Sequence, residues 1–172
     1  SGTSGASILR GGNGDCKFSS LTHISYPIFL INSIMIVNIF TDGGARGNPG
    51  PAGYGVVVKT FDNKIIYQKS SYLGIKTNNE AEYAGLISAL QWLKDNYQNL
   101  DINQVTINSD SQLLICQIQG LYKVKAENLK LLFAQSRDLL EKIPFSIIFK
   151  HIPREENVLA DQLANQAMDS RL

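Results

Sequence analysis

The sequence predicts an α/β domain built on a five-stranded mixed sheet flanked by helices. Three observations carry this. Three β-branched runs, Ile36 to Thr41, Gly53 to Thr60 and Ile65 to Leu73, follow one another with short links, the pattern of an antiparallel meander. Beyond them, stretches of helical periodicity alternate with short apolar runs, which adds strands to the sheet and lays helices on it. Finally, acids stand where the strands are predicted to end.

The elements follow in order. The first run leads into Thr41-Asp42-Gly43-Gly44-Ala45-Arg46-Gly47-Asn48-Pro49-Gly50-Pro51, read as a Gly- and Pro-rich loop beside a strand-ending carboxylate, where small residues let a charged ligand approach the backbone. Phe61-Asp62-Asn63-Lys64 links the second and third strands, because Asp and Asn suit tight turns. Lys76 to Asn79 breaks the pattern and caps a helix from about Glu80 to Asn96. On that helix Glu82, Leu86, Ala89 and Leu93 share a face, so Glu82 heads an apolar stripe while Glu80 points elsewhere. Trp92 is read as core. Gln104 to Ser109 is the fourth strand, ending at Asp110, and Ser111 to Gln117 is a short helix stopped by Gly120. A basic-aromatic loop, Tyr122-Lys123-Val124-Lys125, precedes an amphipathic helix from Ala126 to Lys142. Phe145 to His151 is the fifth strand, Ile152 to Asn157 a polar loop, and Val158 to Met168 the last helix, with Leu159, Leu163 and Ala167 inward.

Composition narrows the class. A chain of 172 residues, 44% hydrophobic and 18% charged, suits one soluble domain with a real core. Net charge is +1, and setting aside residues 1–34 leaves cations and acids in balance, so no global basic field announces a polyanion partner. Only Cys16 and Cys116 are present, which argues against a disulfide scaffold and for a reducing, cytoplasmic setting. Residues 1–34 are read as a flexible leader, native or appended, with Met35 as the natural start and residues 35–172 as the catalytic domain. The apolar stretch Ile24 to Phe40 is short and carries Asn32, Ser33 and Asn38, so no membrane span is expected.

The acids carry the chemistry. Asp42 and Asp110 end two strands, Glu82 opens a helix beside them, and Asp161 lies in the first turns of the last helix. Four carboxylates converging from four elements repel one another unless cations sit between them. Oxygen-only ligands suit Mg²⁺ or Mn²⁺, and no His/Cys cluster argues for zinc. Taken singly, each acid is better explained as a cap or a helix-dipole partner.

The neighbouring residues resemble the type 1 ribonuclease H family. The matching blocks are Thr41 through Gly55, Thr77-Asn78-Asn79-Glu80-Ala81-Glu82-Tyr83, Asn108-Ser109-Asp110-Ser111-Gln112, and His151 to Asn157 with Ala160-Asp161-Gln162-Leu163-Ala164. They occur in family order. The resemblance implies the ribonuclease H-like fold, with strands 1–3 antiparallel and strands 4 and 5 parallel to strand 1. It implies an Asp42, Glu82, Asp110, Asp161 active site holding two Mg²⁺ ions, with Mn²⁺ as a substitute, and hydrolysis of the RNA strand of RNA–DNA hybrids to 5′-phosphate and 3′-hydroxyl ends. It implies that Gly43, Asn48, Asn79 and Gln112 read the RNA strand's 2′-hydroxyl and adjacent edges, and that Thr77 and Asn78 hold the DNA strand. Tyr122, Lys123 and Lys125 flank the DNA-strand groove, or form a solvated loop. The cleft cations would offset four of the acids, reconciling the neutral net charge with a polyanionic substrate.

The sequence departs from the family in two places. The interval from Asp110 to Asp161 holds no inserted basic helix, as in shorter members. His151 has the spacing of the family's loop histidine but lacks its usual glycine neighbour; it is either a catalytic participant or the end of strand five, with Arg154 or Glu155 as substitutes. A monomer with no obligate protein partner is expected. Two alternatives stay open: the ribonuclease H domain of a reverse transcriptase, and a catalytically silent nucleic-acid-binding module.

Overall fold

In the computed structural model, residues 35–170 are described. The expectations for the leader at residues 1–34, and for Met35 as the natural start, concern residues outside that range or depend on them. The elements are β1 (Met35–Ala45), β2 (Gly50–Thr60), β3 (Ile65–Lys76), α1 (Asn78–Asn96), β4 (Ile102–Ser109), α2 (Gln112–Ile118), α3 (Glu127–Glu141), β5 (Ile147–His151), a 3-10 turn at Arg154–Glu156, and α4 (Val158–Asp169).

The strands form one sheet in the order β3-β2-β1-β4-β5. β1–β2 and β2–β3 pair antiparallel, β4 lies parallel to β1, and β5 lies parallel to β4. The meander and the two parallel additions are therefore as expected. β1 is central because both neighbours pair along most of its length. Val37 and Ile39 of β1, Val56 and Val58 of β2, and Leu86, Leu90 and Leu93 of α1 are buried in a common core. Removing such side chains from water is the main stabilising term. Trp92 sits half-buried at the margin of this core, stacked on Tyr67 with ring centroids 5.3 Å apart.

α1 begins with a capping box. The Thr77 hydroxyl accepts from the Glu80 N–H, and the Glu80 carboxylate accepts from the Thr77 N–H. Two otherwise orphaned N–H groups are satisfied this way, worth about 1 kcal/mol. Glu80 is thus held at the helix start, while Glu82 turns toward the sheet.

Two expectations are corrected. β1 does not end at Asp42. Its ladder with β2 continues through Gly43↔Tyr54, Gly44↔Gly53 and Ala45↔Ala52, so the connecting loop is only residues 46–49. The inward face of α4 is Ala160, Ala164, Ala167 and Met168, with Leu159 and Leu163 at its margin. The second correction has a packing cause. A Cβ on Gly53 would lie 2.6 Å from the Ala167 Cβ, and one on Gly55 would lie 2.2 Å from the Ala160 carbonyl oxygen. Glycines in β2 face alanines in α4, so this helix packs almost backbone to backbone against the sheet.

Candidate active site

Each acid is delivered by a different element. Asp42 lies within β1, Glu82 in the first turns of α1, Asp110 directly after β4, and Asp161 in the first turn of α4. All four line one cleft of about 250 Å³, together with Gly43, Gly44, Arg46, Asn78, Arg154 and Asn165. The spacing of α1 from β1 is set by Gly43. A Cβ there would stand 2.2 Å from the Ala81 carbonyl carbon and 2.3 Å from the Glu82 nitrogen. Gly43 therefore admits the first turn of α1, which carries Glu82 to Asp42. This is a packing reason for the glycine, distinct from the ligand approach read in the sequence.

Confinement perturbs the acids. Burial, and then the charges of Asp110 and Asp161, push the Asp42 carboxyl up to about 7, against a smaller opposing pull from Arg154. Burial, followed by Asp42 and Asp110, holds the Glu82 carboxyl well above its ordinary range, and the Gly43 N–H opposes this only weakly. Glu82 Oε2 is buried without a hydrogen-bond partner among the described residues. A buried, unpartnered carboxylate oxygen among like charges is costly.

The other two acids are held by donors. Arg154 Nη2 donates to Asp161 Oδ1. Asn165 Nδ2 donates to Asp161 Oδ2 at 2.9 Å. Asn157 Nδ2 donates both to Asp110 Oδ1 at 2.7 Å and to the Thr41 carbonyl oxygen at 3.0 Å. Asn157 is only 1% exposed and occupies the N-cap position of α4, yet makes no side-chain cap bond. It ties the start of α4 to both strands that present acids. Sequence reading placed it in a polar loop, since an Asn before a helix reads as a cap. Asn165, which lines the cleft and donates to Asp161, also escaped the sequence reading; its only signal is the i, i+4 spacing from Asp161.

The remaining predicted residues fall as follows. Asn48 Oδ1 accepts from the Asn78 N–H at 3.1 Å, and Asn78 Oδ1 accepts from the Ala45 N–H at 2.7 Å. The two asparagines thus brace the loop against the start of α1. The Thr77 hydroxyl is engaged in the capping box. Asn79 and Gln112 are exposed in the first turns of α1 and α2. Leu121, Tyr122, Lys123 and Lys125 are exposed and do not line the carboxylate cleft. His151 ends β5, with Nε2 3.2 Å from the Asp110 carbonyl oxygen, and also lies outside the cleft lining. At the rim, Arg46 forms a bidentate pair with Asp169 at the end of α4, with contacts of 2.9 and 3.1 Å from Nη2.

The donor set suits hard divalent cations. It is all oxygen, it includes one orphaned buried carboxylate oxygen, and two of its carboxyls are pushed toward protonation by burial and then by negative neighbours. No group of three or more His, Cys, Asp and Glu among the described residues closes into a metal cage unaided.

A five-stranded mixed sheet with four carboxylates gathered over its central strands defines the ribonuclease H-like class. The family described as reverse transcriptase-like matches residues 40–167. The ribonuclease H of Hydrogenovibrio crunogenus is 34% identical over 146 residues, covering 77% of this chain and 95% of that protein. The bifunctional protein Rv2228c of Mycobacterium tuberculosis is 42% identical over 137 residues, covering 79% of this chain; the chain spans only 36% of that relative's length. The crystal structure of LC11-RNase H1 in complex with RNA/DNA hybrid superimposes with a TM-score of 0.73 at 45% identity, covering 78% of this chain and 98% of that one. The chain belongs to the type 1 ribonuclease H family.

Proposed function

We propose that this chain is an endoribonuclease that hydrolyses the RNA strand of RNA–DNA hybrids with two bound Mg²⁺ ions, leaving 5′-phosphate and 3′-hydroxyl ends. The observation that carries this is the convergence of Asp42, Glu82, Asp110 and Asp161 on one cleft. A relative at 45% identity bound to RNA/DNA hybrid supports the choice of substrate. A silent binding module would gain nothing from burying a charged cluster that destabilises it.

In this reading Asp42, Glu82 and Asp110 hold one ion, and Asp42 and Asp161 hold the other, with Mn²⁺ able to replace Mg²⁺. When bound, such a pair activates a water and stabilises the leaving oxygen of an in-line displacement. The chain's own residues do the rest. Asn157 fixes the Asp110 carboxylate, and Asn165 fixes that of Asp161. Arg154 is the cationic side chain paired with a cleft acid, while Arg46 at the rim pairs with Asp169, and His151 braces the Asp110 backbone from outside. Asn48 and Asn78 have their side-chain oxygens engaged, so what each offers a hybrid is its amide N–H donors. From Asn48 these donors reach the RNA strand's 2′-hydroxyl, whose presence separates RNA from DNA, and from Asn78 they reach the phosphate or sugar of the DNA strand. Gly43, Asn79 and Gln112 complete the RNA-strand surface. Thr77 contributes to the DNA strand through the helix start it caps, while Tyr122, Lys123 and Lys125 meet the DNA strand at a distance from the cleft.

The test is cleavage of labelled RNA–DNA hybrid, RNA duplex and DNA duplex with Mg²⁺ or with EDTA. Hybrid alone is cut, only with Mg²⁺, and Asp110→Asn abolishes cutting. Cleavage that survives EDTA, or survives in folded Asp110→Asn, refutes the assignment.

A further inference from the structure

We propose that Arg154 is an internal counter-cation of the cleft, competing with divalent cations for Asp161 and making Asp161 the last of the four acids to accept one. The inference rests on the metal-dependent reading above and deepens it.

The four acids are unequally partnered. Asp161 is satisfied on both oxygens, by Arg154 on Oδ1 and by Asn165 on Oδ2. Asp110 has the Asn157 amide on Oδ1. Asp42 and Glu82 receive no side-chain nitrogen donor among the described residues, and Glu82 keeps a buried oxygen without a partner. The unpartnered Glu82 oxygen beside Asp42 therefore offers a cation the most, and a cation binds there first. At Asp161 the cation must displace a guanidinium, whose charge cannot be titrated away.

Displacement is feasible. The Arg154 side chain is 72% exposed while that of Asp161 is 23% exposed. Arg154 springs from the short turn between β5 and α4, so it can swing into solvent without disturbing a packed element. An exposed ion pair is weak enough to yield to a divalent ion. A hybrid phosphate offers Arg154 another partner of matching fork geometry. Substrate arrival would then release Asp161 and tighten cation binding, and the coupling must be reciprocal. Asn165 and Asn157 are uncharged and keep their carboxylates aimed throughout.

The test is Mn²⁺ uptake by the full chain without nucleic acid, read from the electron paramagnetic resonance signal of the free ion. Wild type takes up Mn²⁺. Arg154→Met, similar in length but uncharged, binds it roughly 1.5- to 5-fold more tightly at its weaker site, the range expected for a solvent-exposed pair. Arg154→Lys, with the charge but not the fork, falls between. In an Asp161→Asn background the gain from Arg154→Met shrinks to what its weaker pull on Asp42 and Asp110 accounts for. Equal uptake by wild type and Arg154→Met, or the same gain in the Asp161→Asn background, overturns the proposal while leaving cation binding intact. Failure of the wild type to take up any Mn²⁺ overturns the metal-dependent reading and this inference with it. Circular dichroism of each variant confirms the fold.

Discussion

Replacing Asp42 by Asn should stabilise the metal-free protein at alkaline pH. The Asp42 carboxyl is raised from 3.8 to about 7 in the folded state, chiefly by burial and then by Asp110 and Asp161. The folded state therefore holds this proton more tightly than the unfolded chain does. The resulting stabilisation is complete below about pH 4 and is lost as pH rises toward 7. The shift of about three pH units corresponds to roughly 4 kcal/mol at about 1.36 kcal/mol per unit. Asp42 is 8% exposed, so solvent screening takes little of this, although the other acids readjust and share it. Asp42→Asn removes the cost without adding bulk. In urea melts with EDTA, the variant should exceed wild type by about 2–4 kcal/mol at pH 8, and the advantage should vanish by pH 4. Adding Mg²⁺ should raise wild type and leave the variant nearly unmoved, because only a ligand of the native state stabilises it. A variant no more stable than wild type at pH 8, or a gain equally large at pH 4, would refute the electrostatic reasoning.

Other outcomes follow from the same geometry. Asn157→Ala leaves the Thr41 carbonyl and an Asp110 oxygen without their donor, so denaturant melts should show a loss of about 1–3 kcal/mol; kcat should fall far more than KM changes, since Asp110 loses its orientation. Gly43→Ala drives a methyl into the backbone of Ala81 and Glu82, which should cost about 1–3 kcal/mol in the same melts and suppress hybrid cleavage by displacing Glu82. Thr77→Ala opens the capping box and should cost about 1 kcal/mol while leaving the cleft acids in place. Deleting residues 1–34 should leave hybrid cleavage and the melting curve of the remainder unchanged, as expected of a separable leader; lost activity would show that the segment belongs to the domain.

Much of this molecule was legible in its residues. The meander could be read because β-branched runs with short links leave the backbone few alternatives. Glu82 could be told from Glu80 by helical phase alone. The structure places one in the cleft and the other in the capping box, because two residues along a helix turn a side chain to a different face. No helix among the described residues is long and apolar enough to cross a membrane; most of the apolar stretch read in the sequence, Ile24 to Phe40, lies outside those residues.

By itself the sequence determined the order and type of the elements and the helical phase that turns Glu82 away from Glu80, since these follow from local pattern and periodicity, although it stopped β1 short of Ala45. Tertiary structure decided the rest. Only packing shows that Gly53 and Gly55 of β2 meet Ala160, Ala164 and Ala167 of α4, drawing Asp161 down onto the sheet. Only packing shows that Asn157 forgoes its cap to reach Thr41 and Asp110, residues distant in sequence. The same is true of Asp161, which is paired with Arg154 while Glu82 is left with a buried, unpartnered oxygen. Hydrogen bonds and desolvation depend on which groups the fold brings within about 3 Å of each other, and no local pattern encodes that.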